Sequence, residues 1–110
     1  MNSDKSILLE IFGDSPRMKM IDFLLENHIF DYSKRQIADF SEISYNTLET
    51  FWEQVIKLGL VKKTRKVGKS QMYMLNMDNQ IIQRLFQIVK DVMVQDIDTV
   101  SRKRTPIAVK

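Results

Sequence analysis

The apolar period of this chain changes from about 3.6 to 2 at Gly59, and that change constrains the fold more than any other feature. Before it, Leu48, Trp52, Val55 and Leu58 recur at i, i+4, i+7 and i+10, the stripe of one helix face. After it, Leu60 to Val67 alternates with a period of 2, Gly68-Lys69-Ser70 turns the chain, and Gln71 to Leu75 returns it. A glycine just past an apolar stripe is the residue that ends helices in a left-handed conformation. The spacing therefore predicts a helix ending at Leu58, then a β-hairpin with a three-residue glycine-containing loop.

Serines punctuate the chain upstream. Ser15 followed by Pro16 is an N-cap with proline in the first helical turn, where its missing N–H costs nothing. The helix it opens carries Met18, Ile21, Leu24 and Leu25 and fades near Asn27. Ser33 with Gln36 forms a capping box and opens a short helix running to about Phe40, with Ile37, Ala38 and Phe40 as its apolar positions. Ser41-Glu42-Ile43 makes a tight turn, and Ser44 caps the helix of the stripe. Ahead of all this, Ile7, Leu8, Leu9, Ile11 and Phe12 fit either a turn or two of helix or a short strand.

Asp78 or Asn79 caps a last helix carrying Ile81, Ile82, Leu85, Phe86, Ile88, Val89, Val92 and Met93. From Thr99 the pattern disappears, and Arg102-Lys103-Arg104-Thr105-Pro106 reads as a disordered basic tail. The expected organisation is an N-terminal arm over 1–12, one domain over 13–77, a C-terminal helix over 78–98 and a tail over 99–110. The fold class is mainly α with a small β-hairpin.

Composition narrows the function. A length of 110 residues suits one domain. With no cysteine, one histidine and three scattered glycines, the chain lacks a thiol nucleophile, a zinc ligand set and a phosphate-cradling loop. A non-enzymatic role without cofactor is expected. No apolar run reaches the ~18 residues of a membrane helix and no signal peptide opens the chain, so a cytoplasmic location without membrane partners is expected. Seventeen basic against fourteen acidic residues give a net charge of +3, which permits a polyanionic partner without demanding one.

The distribution of charge decides. Two helices joined by a tight turn form a helix-turn-helix, whose second helix can enter a major groove about 12 Å wide. The hairpin behind it carries Lys62, Lys63, Arg65, Lys66 and Lys69, five cations in eight residues with no acid among them. Such a cluster supplies phosphate affinity.

The stretch Gln36-Ile37-Ala38, Ile43-Ser44, Thr47-Leu48 and Leu58-Gly59-Leu60-Val61 resembles the winged helix-turn-helix of ArsR/MarR-like prokaryotic transcription regulators. Val67-Gly68-Lys69 and Tyr73-Met74-Leu75-Asn76 resemble the wing of the same group, especially its small archaeal members. The resemblance covers about residues 13–77, and it places the last helix where many members dimerise. It implies a homodimeric regulator that binds double-stranded DNA. Two departures stand out: Glu42 occupies the turn position where glycine is usual, and the third helix is not basic.

Taken residue by residue, Tyr45, Asn46, Thr47, Glu49 and Thr50 are the expected base-facing set. Asn46 suits adenine and Glu49 suits a cytosine amino group. Lys34, Arg35, Lys62, Lys63, Arg65, Lys66 and Lys69 are the expected phosphate contacts. Glu49 and Glu53 form an i, i+4 pair that reads as two solvated acids. Metal-sensing members of the resembled family use cysteine and histidine clusters, so no metal effector is expected here.

The last helix carries two adjoining stripes. Ile82, Phe86, Val89 and Met93 are expected at a two-fold dimer interface, while Ile81, Leu85, Val89 and Val92 pack inward. Met72 and Met74 alternate with Tyr73 and Leu75, so an outward face of methionines is expected, covered by the Ile7–Phe12 run or filling gaps. The alternative function is a winged-helix protein–protein interaction module that uses the mixed acidic face of the third helix.

Overall fold

The computed structural model describes residues 6–102, with side chains described to residue 92. The elements in chain order are α1 (Ile7–Phe12), α2 (Pro16–Glu26), β1 (Tyr32–Ser33), α3 (Lys34–Ser41), α4 (Tyr45–Lys57), β2 (Val61–Val67), β3 (Ser70–Leu75) and α5 (Gln80–Arg102). The ambiguous N-terminal run is helical. Serine caps set the register of the first four helices: Ser6, Ser15, Ser33 and Ser44 each accept the N–H three residues on. Ser33 and Gln36 close the expected capping box. Asn79 does the same for α5, its Oδ1 accepting from Ile81 N at 2.8 Å and Ile82 N at 3.2 Å.

Both turns flanking the central helices are Schellman motifs. At the end of α4, Gly59 N donates to Ile56 O and Leu60 N to Val55 O, with Gly59 at φ +71°. At the end of α3, Glu42 N donates to Asp39 O and Ile43 N to Ala38 O, with Glu42 at φ +63°. The turn thus keeps the geometry in which glycine is usual. Ile43, packed against the core, fastens it.

The sheet has three strands in the order β1-β3-β2, all antiparallel. β1 pairs Tyr32 with Tyr73 and Ser33 with Met72. Sequence reading omits this two-residue strand because no periodicity survives at that length. Val67 pairs with Ser70, so the hairpin loop has two residues rather than three. Gly68 at φ +62°, with no positive φ at Lys69, is the type II′ pattern. Between Lys63↔Tyr73 and Lys66↔Gln71, Thr64 and Arg65 oppose Met72 alone, a β-bulge.

The core gathers Leu8, Met20, Leu24, Leu25, Ile37, Ala38, Leu48, Phe51, Trp52, Val55, Leu60, Val61, Tyr73, Leu75 and Ile82. The expected α4 stripe changes at two positions. Leu58 is 49% exposed, because it lies at the C-cap where the chain leaves the helix, and Phe51 is buried in its stead. Trp52 meets Tyr73 edge-on at 5.0 Å, joining α4 to the sheet. Met72 is buried, so the methionine side of β3 is covered, by a different segment from the one expected. The segment Ile29–Tyr32 lies beside Met72 and Met74, whereas α1 packs on α2 and α5.

Ile82 corrects the expected dimer stripe. It is fully buried inside the protomer, which removes it from any partner surface. Phe86 and Val89 are half-buried against the core, and the side chain of Met93 lies outside the described residues. Among the described residues, the large apolar side chains that α5 exposes are Ile81 and Ile88. α5 continues to Arg102 instead of ending at 98, and residues 103–110 of the expected tail lie outside the described residues.

Candidate nucleic-acid interface

Two elements bring the expected site residues together. The capping box starts α3 at Lys34, so Lys34 and Arg35 emerge from its first turn, beside the first turn of α4. The β1–β3 pairing draws the hairpin to the same place. Ser33, Lys34, Arg35 and Tyr45 line one shallow groove with Ser70, Gln71 and Tyr73. The hairpin's contribution to this groove has no local sequence signal, since it depends on β1.

Arg35 lies over the Tyr45 ring, its guanidinium carbon 4.3 Å from the centroid. This contact aligns the first turns of α3 and α4. Lys34 sits deeper, with its ammonium 5.6 Å from the Tyr45 ring and 5.5 Å from the Trp52 ring. It donates to Glu49 Oε2 at 2.6 Å. Burial alone would lower the Lys34 pKa, but the hydrogen bond to Glu49, with attraction to Tyr45 and Glu49, outweighs it and raises it. The hydrogen bond from Lys34, with the Tyr45 hydroxyl adding to it, holds the Glu49 carboxyl below the usual carboxylate range.

The outer face of α4 presents Asn46, Glu49, Thr50 and Glu53, all exposed. Two hydroxyls on this helix are occupied internally. Ser44 Oγ donates to Thr47 Oγ1 at 2.8 Å, and Thr50 Oγ1 donates to Thr47 O at 2.6 Å.

On the hairpin, Lys62, Lys63, Lys66 and Lys69 are exposed, as expected of a phosphate-holding strand. Arg65 differs. Its Nε and Nη2 donate to the two oxygens of Asp31 at 3.0 and 3.2 Å, and Thr64 donates to the same carboxylate. The bulge presents both residues to one acid. These hydrogen bonds, Arg65's first, hold Asp31 below the usual carboxylate range. Two of the seven expected phosphate contacts, Lys34 and Arg65, therefore already hold carboxylates. Sequence reading misses Asp31 because it stands 34 residues from Arg65 along the chain. Among the described residues, no group of three or more His, Cys, Asp or Glu side chains is placed to hold a metal ion. None of the described helices is long and apolar enough to cross a membrane.

Solved structures similar to this chain share its fold at low identity. The homodimeric winged helix-turn-helix DNA-binding domain of a possible ArsR-family regulator from Mycobacterium bovis gives a TM-score of 0.54 at 21% identity, covering 83% of this chain and 79% of that one. NadR in complex with 4-hydroxyphenylacetate gives 0.58 at 17% identity, covering 88% and 69%. A mutant of ZitR from Lactococcus lactis in its apo form gives 0.57 at 12% identity, covering 88% and 75%. No family model and no curated protein matches the chain. The likeness is one of fold: α3 and α4 are the helix-turn-helix, and β2 with β3 is the wing of a winged helix domain.

Proposed function

We propose that this winged helix-turn-helix chain is a sequence-specific, double-stranded DNA-binding transcription regulator that acts as a homodimer in the cytoplasm. The carrying observation is the groove in which the first turns of α3 and α4 meet the wing, flanked by exposed cations on one side and the polar face of α4 on the other. In this reading Arg35, Lys62, Lys63, Lys66 and Lys69 hold phosphates, while α4 presents Tyr45, Asn46, Thr47, Glu49 and Thr50 to base edges. Lys34 and Arg65 join the phosphate set only by exchanging a carboxylate for a phosphate. Phe86, Val89 and Met93, with the exposed Ile81 and Ile88, are the α5 residues assigned to the partner protomer. The role is binding, with no catalytic step.

Titration of a fluorescent random 30-base-pair duplex at two salt concentrations tests this. With three of these five cations neutralising a phosphate in each protomer, the log K against log salt slope is roughly −5 for the dimer. Replacing Lys62, Lys63, Arg65, Lys66 and Lys69 with alanine should abolish most of that binding. Binding indifferent to salt or to the substitutions overturns the reading.

A second reading, a protein-interaction module, is favoured by one observation. Ile29, Phe30 and Phe40 are exposed, and the first two line a groove with Met72 and Met74 of the wing. A chain of that kind would show no salt-dependent retention on duplex or heparin.

A further inference from the structure

The polar face of α4 carries carboxylates and no cation before its last turn. The helix carries one cation, Lys57, in its last turn, so it lacks the arginine or lysine that most often reads guanine. Thr50 has spent its hydroxyl proton on Thr47 O, and Thr47 receives the proton of Ser44. What remains in the first two turns is the Asn46 amide, the half-buried Thr47 hydroxyl with its own proton, and the Glu49 carboxylate, which is the one charged group among them.

A carboxylate on a surface that approaches phosphates is ordinarily a liability, yet Glu49 has a built counter-charge. Lys34 holds Oε2 at 2.6 Å and is itself lodged between the Tyr45 and Trp52 rings. The Lys34 side chain is 23% exposed and that of Glu49 is 43% exposed. The lysine is thus the less exposed partner of the pair, and the acid stays accessible on the helix's outer face.

We infer that Glu49 is a specificity-determining residue that selects cytosine through its N4 amino group in the major groove, with Lys34 as its positioning residue. This assignment rests on the duplex-binding reading above. Cytosine presents a donor there with no acceptor of its own beside it. Adenine sets its donor next to N7, which repels a carboxylate. Lys34 fixes the rotamer of Glu49 and cancels its repulsion from the backbone, so it acts on specificity without touching a base.

Selection from a randomised duplex library by the full chain and three variants tests the assignment. The unaltered chain should enrich a C·G pair at one position, by about tenfold over other pairs. Glu49→Gln should move that position to A·T, because the amide adds the donor that adenine N7 accepts. Lys34→Met should flatten the cytosine preference, and Lys34→Arg should restore it, with thermal midpoints confirming that each variant is folded. If Glu49→Gln binds duplex with an unchanged preference at every position, the assignment fails while the duplex-binding reading stands. If the unaltered chain shows no salt-sensitive duplex binding, both fall.

Discussion

Asp31 is the residue whose role is least expected from its neighbours, and it makes this fold's charge partly self-contained. Through Arg65 and Thr64 it fixes the bulge of the wing to the segment entering β1. Because its pKa and that of Glu49 are lowered in the folded chain, their contribution is fully present above the ordinary carboxylate range near 4. It is lost as pH falls through their depressed values. Thermal midpoints measured from pH 7 to pH 2 should therefore drop on the acid side, and Asp31→Asn should drop less. Glu26 has the opposite sign. Burial, then Asp22, raises its pKa, so protonation favours the folded chain, and that gain is lost as pH rises from its ordinary 4.5 through the raised value. The same Asp31→Asn change releases Arg65 to phosphate and should steepen the duplex salt slope by about 1 per protomer. An unchanged slope would mean that Arg65 stays off the duplex. A different residue-scale cost sits at Ser41, whose Oγ is buried without a hydrogen-bond partner. An unsatisfied buried hydroxyl costs about 1–3 kcal/mol, so Ser41→Ala should stabilise the fold by about 1 kcal/mol in urea unfolding.

At the scale of elements, the α3–α4 turn stores a small backbone cost that glycine would relieve. Glu42 holds a left-handed conformation that disfavours a side chain by about 1–2 kcal/mol, partly offset by the extra unfolded-state freedom glycine brings. Glu42→Gly should therefore raise stability by about 0.5 kcal/mol, read as a higher urea midpoint at constant m-value. Elements of this kind are legible in sequence because their signals are local: the Ser15, Ser33 and Ser44 caps, the Gly59 stop and the hairpin fall within a few residues of where the pattern places them. Features made by distant residues are not legible. Strand β1 exists because Tyr32 finds Tyr73, and the two-residue wing turn is fixed by the Val67–Ser70 pair. The exposure of Leu58 follows from the Schellman turn, which swings the C-cap residue off the helix stripe. The same division runs through the site. Tyr45, Asn46 and the wing lysines follow from their places on one helix and one strand. The carboxylates that occupy Lys34 and Arg65 come from 15 and 34 residues away.

At the scale of the molecule, α5 is longer than the protomer core needs. Its 23 residues span about 34 Å, and the longest dimension of the molecule is 54 Å. Ile82 shows which side faces the protomer core, since it is fully buried. Ile81 and Ile88 are exposed, as are Ile11 and Phe12 on α1, which packs beside α5. A second copy related by a two-fold axis would bury such residues and carry two recognition helices to half-sites about 34 Å apart, one turn of the duplex. Sedimentation at micromolar concentration should then give twice the 13.0 kDa of one chain. The double substitution Ile81→Asp and Ile88→Asp should return it to 13.0 kDa with the far-ultraviolet spectrum preserved. The same variant should halve the duplex salt slope, because each chain would then release only its own counterions. A full-length chain that sediments as a monomer before any substitution removes the dimer. Duplex binding would then rest on one wing and one helix, with a slope of roughly −2.5 from the start.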